Sequence, residues 1–142
     1  MDVLRDREWS KPLPAPDAVS APWWAAAAEG RLLYQVCPAC GHRQFYPRPI
    51  CTACGADPEW AEASGRGVVH TFTVVRQYGQ PPFKDELPYV VAMIELEEGV
   101  RMLANVTDCD VASVHIGMAV EAYAVAAAYQ VGVPFWRPVG AS

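Results

Sequence analysis

The sequence predicts a mainly β protein with one short N-terminal helix, a metal-binding hairpin and a C-terminal barrel of five strands. Four of the five cysteines form two Cys-x-x-Cys-Gly units between residues 37 and 55. An alanine-rich run follows Ser20, and five runs of β-branched and aromatic residues fill the second half of the chain. A meander and a small sandwich are alternative arrangements of the same strands.

Composition and charge restrict the classes of function. The chain has 142 residues, of which 52% are hydrophobic, and a formal net charge of −5. This content is sufficient for a core in one domain, or in one domain with a small module. Since the Lys and Arg residues are scattered, we expect no nucleic-acid partner. No apolar run approaches ~20 residues and the first residues lack a signal sequence, so we expect a cytoplasmic protein without membrane contact.

An extended arm and a helix are predicted at the N-terminus. Residues 1–19 contain three prolines within five positions, which remove backbone donors and disfavour helix. Ser20 is a candidate N-cap, and Pro22 suits the first turn. The alanines then predict a helix over residues 21–29, which Gly30 ends.

The two cysteine pairs predict a metal site formed by Cys37, Cys40, Cys51 and Cys54. Two thiolates three positions apart can bind one ion if the chain turns tightly around it, and the glycine after each pair permits the positive φ of such a turn. Four thiolates match tetrahedral zinc, although iron uses the same ligands and the sequence does not distinguish the two. A redox disulfide is disfavoured, because a thioredoxin-like motif needs one Cys-x-x-Cys where a strand meets a helix.

We expect this metal to be structural. A catalytic zinc usually keeps one position open for water or substrate, whereas four thiolates fill the coordination shell. We expect His42 to form surface hydrogen bonds and Cys109, next to two aspartates, to be a half-buried poor nucleophile. Since no known catalytic motif is present, the sequence predicts no catalytic residues.

Five strands are predicted after the hairpin, over residues 68–77, 89–97, 100–108, 118–129 and 130–139. Glu98 and Gly99 form a tight turn between the second and third strands. Residues 78–88 contain three prolines and form a long loop. Pro134 places the fifth strand at an edge, or marks a strand end.

Aromatic residues in turns, loops and element ends are candidates for a partner surface, since Trp and Tyr frequently anchor interfaces. The two adjacent tryptophans of the helix point about 100° apart, so we expect one in the core and one outside. With one arginine, the candidate surface comprises Trp23, Trp24, Phe45, Tyr46, Arg48, Tyr78, Phe83, Phe135 and Trp136.

Several motifs follow one another in a specific order: "PLPAPD", "APWWAAAAEGRLLYQ", "CPACGHRQFYPRPICTACG", "WAEASGRGVVHTFTVV", and "VAMIELEEGVRMLANV" before "IGMAVEAY". Together they resemble the DUF35 family, over nearly the whole chain from residue 12 to residue 138. The resemblance implies an arm and helix over residues 1–34, a rubredoxin-like zinc ribbon over 35–62 and an OB-fold over 63–142. It also implies that the four cysteines are the zinc ligands.

The resemblance further implies a non-catalytic accessory subunit in a hetero-oligomer, whose candidate surface residues contact the partner or an acyl-CoA. The expected partner is a thiolase-fold aldolase or thiolase that acts on an acyl-CoA thioester, with retro-aldol cleavage of a steroid side chain as one example. A hot-dog-fold enoyl-CoA hydratase, bound in trans, is another expected partner. Two alternatives are a stand-alone acyl-CoA-binding OB-fold protein and a single-stranded nucleic-acid-binding protein, and the negative charge disfavours the second.

Overall fold

The computed structural model describes residues 1–140. Within this range the helix α1 spans Ala21–Ala28, and 3-10 turns span Phe83–Glu86 and Val111–Ser113. The strands are β1 (Asp2–Leu4), β2 (Leu33–Val36), β3 (Arg43–Gln44), β4 (Glu59–Glu62), β5 (Arg66–Val75), β6 (Tyr89–Leu96), β7 (Arg101–Val106), β8 (Ala119–Ala128) and β9 (Val131–Pro138). The protein is thus mainly β, as predicted.

Strands β5 to β9 form a closed barrel. β5 pairs with β6, β6 with β7, and β8 with both β5 and β9, all antiparallel. A parallel pairing at Val106 and Trp136 joins β7 to β9 and closes the ring. This closure confirms the predicted barrel over the meander and the sandwich, and each predicted strand lies within two residues of its observed bounds.

The barrel interior follows from the period-two pattern of its strands. Along β6, Val90, Ala92, Ile94 and Leu96 are buried, whereas the residues between them are partly exposed. A register shift in β5 between Val69 and Thr71 interrupts the ladder with β6. Such a bulge increases the local bend, which helps a ten-residue strand to follow the barrel wall.

Helix α1 packs on the outside of β9. A Cβ atom at Gly132 would collide with the backbone of Ala27 and Ala28, so only glycine permits this approach. Trp23 is 6% exposed and its Nε1–H donates to the carbonyl of Leu33 at 2.8 Å. Since Trp24 is only partly buried, the two tryptophans divide between core and surface as predicted.

Two predictions for the N-terminal region were wrong, the side-chain cap at Ser20 and the fully extended arm. The Ser20 side chain does not cap the helix; its Oγ instead accepts from the N–H of Asp17 at 3.2 Å. The arm is not extended chain throughout, because β1 pairs in parallel with residues Tyr123–Val125 of β8. The ammonium group of Met1 also donates to the carbonyl of Gly30 at 2.9 Å. A strand of three residues is too short to show periodicity, and its partner is remote in sequence.

The cysteines lie in turns beside a separate small sheet with the order β3–β2–β4. One hydrophobic cluster nevertheless includes Trp23 and Tyr34 together with barrel residues such as Val69 and Trp136. The ribbon and barrel are therefore packed on each other, and the domain limits given by the resemblance stay a prediction. No helix among residues 1–140 is long and apolar enough to cross a membrane.

Candidate metal centre and partner surface

Two tight turns, one at each Cys-x-x-Cys-Gly unit, bring the cysteines together. In each turn the glycine N–H donates to the carbonyl of the first cysteine, from Gly41 to Cys37 at 2.8 Å and from Gly55 to Cys51 at 2.9 Å. The two glycines have φ angles of 77° and 81°. Because L-residues with a Cβ rarely adopt these angles, each turn depends on its glycine.

The four sulfur atoms form one compact cluster, all within 4.8 Å of one another. The Sγ atoms of Cys37 and Cys54 are 3.5 Å apart, and those of Cys40 and Cys51 are 3.7 Å apart. Four thiolates about 2.3 Å from a tetrahedral ion would be separated by roughly 3.8 Å. The cluster therefore fits a single ion, and within residues 1–140 it is the one group of three or more His, Cys, Asp or Glu side chains able to hold a metal.

The surroundings of the sulfurs favour ionisation of some thiols over others. Burial raises the pKa of Cys51, but hydrogen bonds from the N–H groups of Cys54 and Ala53 and from neighbouring thiols lower that pKa to about 6. The N–H of Ala56 lowers the pKa of Cys54, but the adjacent sulfurs raise it to about 12. Because adjacent thiolates repel one another, ionisation of all four requires a bound cation.

Two buried glutamines, which were not among the predicted site residues, fix the loop between the cysteine pairs. Gln44 Nε2 donates to Gln35 Oε1 at 2.8 Å and to the carbonyl of Ile50 at 3.2 Å, and Gln44 Oε1 accepts from the N–H of Thr52 at 2.9 Å. Gln35 bonds both backbone groups of Arg48. For Gln35 a sequence signal existed, since an amide in a short, otherwise apolar strand beside metal ligands commonly bonds the backbone when buried.

An aromatic stack connects α1 to the ribbon tip, and it unites five of the predicted surface residues. The ring of Trp23 lies 4.8 Å from that of Trp24 and 5.4 Å from that of Phe45. Phe45 contacts Tyr46, which is 44% exposed, and the guanidinium of Arg48 lies 5.8 Å from the Tyr46 ring. The stack thus runs from a buried anchor to an exposed tip.

A second aromatic group lies in the loop between β5 and β6. Tyr78 and Phe83 meet edge to face at 5.8 Å, and Phe83 lies 6.4 Å from Tyr89 at the start of β6. Tyr78 is 46% exposed, whereas Phe83 is partly buried. These contacts give the proline-rich loop a small apolar cluster of its own.

The structure removes Phe135 and Trp136 from the predicted surface. Trp136 has no exposed area and lies in the barrel core, and Phe135 is 7% exposed. Successive side chains of β9 point to opposite faces, so one of the two enters the barrel. The other stacks on Tyr123 at 5.7 Å and is covered by Trp9 of the arm at 6.3 Å. The sequence showed neither that the barrel would close around Trp136 nor that the arm would cover Phe135.

The remaining candidate groups occupy the positions expected for structural roles. His42 Nε2 and Thr52 Oγ1 form a surface hydrogen bond of 3.1 Å. Cys109 is partly buried and packs against the main core.

Comparison with known proteins agrees with both halves of the structure. The family described as "ChsH2, rubredoxin-like zinc ribbon domain" matches residues 24–60, and "ChsH2, C-terminal OB-fold domain" matches residues 60–125. A DUF35 domain-containing scaffold protein of Pyrococcus furiosus is 39% identical over 109 residues, 75% of this chain and 77% of that protein. The chain belongs to the DUF35 family. Its cysteine module is thus a rubredoxin-like zinc ribbon, and its barrel is an OB-fold.

Two further matches cover most of the chain. A probable enoyl-CoA hydratase alpha subunit of Thermomonospora curvata is 36% identical over 129 residues, 90% of this chain. This DUF35 chain spans 40% of the length of that relative. A solved structure, the Ltp2-ChsH2(DUF35) aldolase, contains a similar chain with 36% identity and a TM-score of 0.79, covering 88% of this chain and 98% of that one.

Proposed function

We propose that this DUF35 protein is an accessory subunit of a thiolase-fold aldolase or thiolase that acts on an acyl-CoA thioester. The likeness to a whole chain of the Ltp2-ChsH2(DUF35) aldolase, at 36% identity, carries this proposal. That name joins a DUF35 component to Ltp2 in one aldolase. Retro-aldol cleavage of a steroid side chain is one candidate reaction for the partner.

We assign zinc to the four-sulfur cluster, in a structural role. The sulfurs Cys37, Cys40, Cys51 and Cys54 have the spacing of a closed tetrahedral shell, which leaves no position for water or substrate. When bound, the ion would neutralise the thiolates and crosslink the two turns. Elemental analysis should find one zinc per chain; one iron per chain, with visible absorption, would contradict the assignment.

The partner is proposed to contact the exposed ends of the two aromatic groups. Tyr46 at the ribbon tip and Tyr78 in the loop are 44% and 46% exposed, and each ring rests edge to face on another ring. Such rings are already held in place, so binding orders few additional side chains. Trp24, Arg48 and Phe83 complete the proposed surface.

Co-expression tests the accessory role directly. The tagged chain is produced with a candidate thiolase-fold aldolase, and the two are purified together and assayed for cleavage of an acyl-CoA aldol. We expect recovery in a fixed ratio and cleavage only when both chains are present. A thiolase-fold enzyme from an unrelated pathway is the control, and failure of every candidate to co-purify would refute the proposal.

A hot-dog-fold enoyl-CoA hydratase, bound in trans, is a second candidate partner. The probable enoyl-CoA hydratase alpha subunit that this chain resembles favours it, since that relative matches over 90% of this chain. The same purification with a hydratase subunit in place of the aldolase distinguishes the partners. Hydration of an enoyl-CoA by the recovered complex would establish this pairing.

A further inference from the structure

A cleft of about 440 Å³ lies between the ribbon tip and the turn that joins β6 to β7. The residues that matter for its chemistry are Arg43, Arg48, Arg101, His42, Tyr46 and Glu95. Its volume is within the range of small-molecule sites. Since the ribbon supplies one wall and the barrel the other, the cleft exists only because the two regions are packed together.

The cleft concentrates positive charge in an acidic protein. Three of the 11 Lys and Arg residues line it, although the chain has a net charge of −5. Arg101 is paired at 3.3 Å with Glu95, the one carboxylate of the described residues that lines the cleft. Among residues 1–140, Arg43 donates only to a backbone carbonyl, that of Glu98 at 3.1 Å. The carboxylate of Glu98 accepts instead from the N–H of Ser64. Guanidinium donors are therefore left for a ligand.

We propose that this cleft binds the phosphate groups of a nucleoside diphosphate. The planar fork of arginine matches phosphate oxygens two at a time, and three such groups from two separate elements surround a small volume. The exposed ring of Tyr46 beside them offers a flat surface for a base or sugar. An extended acidic peptide fits less well, because all three arginines line one cleft of about 440 Å³.

Calorimetric titration of the full-length, zinc-loaded chain with ADP tests the proposal, with pyrophosphate and adenosine as additional probes. We expect saturable binding of ADP, weaker binding of pyrophosphate and none of adenosine. Arg101→Gln removes one guanidinium from an exposed position and should weaken ADP binding about ten- to a hundredfold. Arg48→Gln should have a similar effect, and Arg48→Lys should restore only part of the loss.

Arg31→Gln is the matched control. It removes the same charge from an exposed arginine that pairs with Glu29 and does not line the cleft. An unchanged ADP affinity in this variant supports a specific site. Equal losses in Arg31→Gln and Arg101→Gln, or no saturable binding of ADP at millimolar concentration, would overturn the proposal. Tighter binding of a glutamate-rich peptide than of ADP would also overturn it.

The proposal does not depend on the accessory role, because the titration uses the chain without any partner. ADP binding by a chain that co-purifies with no enzyme would support the cleft and refute the accessory role. Co-purification with an enzyme, together with no ADP binding, would refute the cleft proposal and leave the accessory role intact.

Discussion

The zinc ribbon and the barrel are both β structures, but different forces stabilise them. The three strands of the ribbon have four, two and four residues, and its buried side chains include two glutamines and two cysteines. The barrel strands have six to ten residues and enclose Val69, Ile94, Val120 and Trp136, all fully buried. The ribbon is therefore stabilised by sulfurs and hydrogen bonds, and the barrel by removal of apolar surface from water.

This contrast shows how a small module can present a rigid surface without a core of its own. A hairpin of this size buries too little apolar area to fold alone, so a metal must supply the missing stability. Its remaining apolar side chains pack on α1 and the barrel, where Trp23 and Tyr34 join the main cluster.

Loss of one metal ligand should have the largest effect. Cys37→Ser should remove the ion and disorder the loops around the sulfurs, while the barrel keeps its structure, because the barrel core contains no ligand. Zinc content and amide hydrogen exchange measure the two parts separately. Cys109→Ser is the control, since this thiol is not in the cluster. Unfolding of the barrel together with the ribbon would show that the two form one cooperative unit.

Truncation of a side chain in the barrel core should destabilise the protein, but the folded protein should keep its metal. Trp136→Ala removes a fully buried side chain and should lower the free energy of unfolding by about 3–5 kcal/mol. Urea denaturation of the zinc-loaded protein measures this change. Tyr129→Ala, at a position that is 89% exposed, should change the same free energy by less than about 0.5 kcal/mol. A similar loss in both variants would contradict the assigned core.

Removal of a buried amide should weaken the ribbon selectively. Gln44→Met conserves volume but leaves the carbonyl of Ile50 and the N–H of Thr52 without their partner. Each unsatisfied group costs about 1–3 kcal/mol. We expect zinc transfer to a chelator to become at least tenfold faster, followed with a colorimetric dye. Gln80→Met, at an exposed loop position, should transfer zinc at the original rate; equal rates in both variants would exclude the structural role.

Partner binding should respond to the loss of one ring from each aromatic group, the exposed Tyr46 or the partly buried Phe83, while the fold is kept. Tyr46→Ala and Phe83→Ala should each weaken the affinity for a co-purified enzyme by roughly tenfold, as expected for interface anchors of more than about 1 kcal/mol. Surface plasmon resonance measures the affinity, and urea denaturation checks the fold. Tyr129→Ala is the aromatic control outside the proposed surface. Unchanged affinity in both test variants would refute the placement.

The smallest effect on stability is expected at Asp17, which lies outside both the ribbon and the barrel. The N–H of Ser20 donates to its carboxylate at 2.7 Å and, with the Ser20 side chain, lowers the pKa of Asp17. The Asp17 carboxylate therefore contributes to the stability of the fold above the ordinary aspartate pKa, and this contribution is lost as the pH falls through the lowered pKa. Asp17→Asn should remove this dependence, so the difference in melting temperature between the two proteins should shrink below about pH 4. A constant difference would contradict the assignment.

Local patterns predicted the elements well where neighbours in sequence are also neighbours in space. The helix over 21–29 and the turn at Gly99 could be predicted from an alanine-rich run, alternating strands and the glycines that interrupt them, although the Ser20 side chain does not cap the helix. Surface assignments were weaker. Phe135 and Trp136 have the same local features as the exposed aromatics, and their burial depends on barrel closure and on an arm more than a hundred positions away.

The sequence by itself determined the four-sulfur cluster, because spacing and glycine alone decide whether a short chain can turn around an ion. It also determined the number and order of the barrel strands, which follow from local alternation. Only the tertiary structure decided that Asp2 would meet Arg137, 135 positions away, and that Arg101 would join the arginines of the ribbon in one cleft. These contacts depend on how separate elements pack, and a pattern of neighbouring residues contains no information about packing partners.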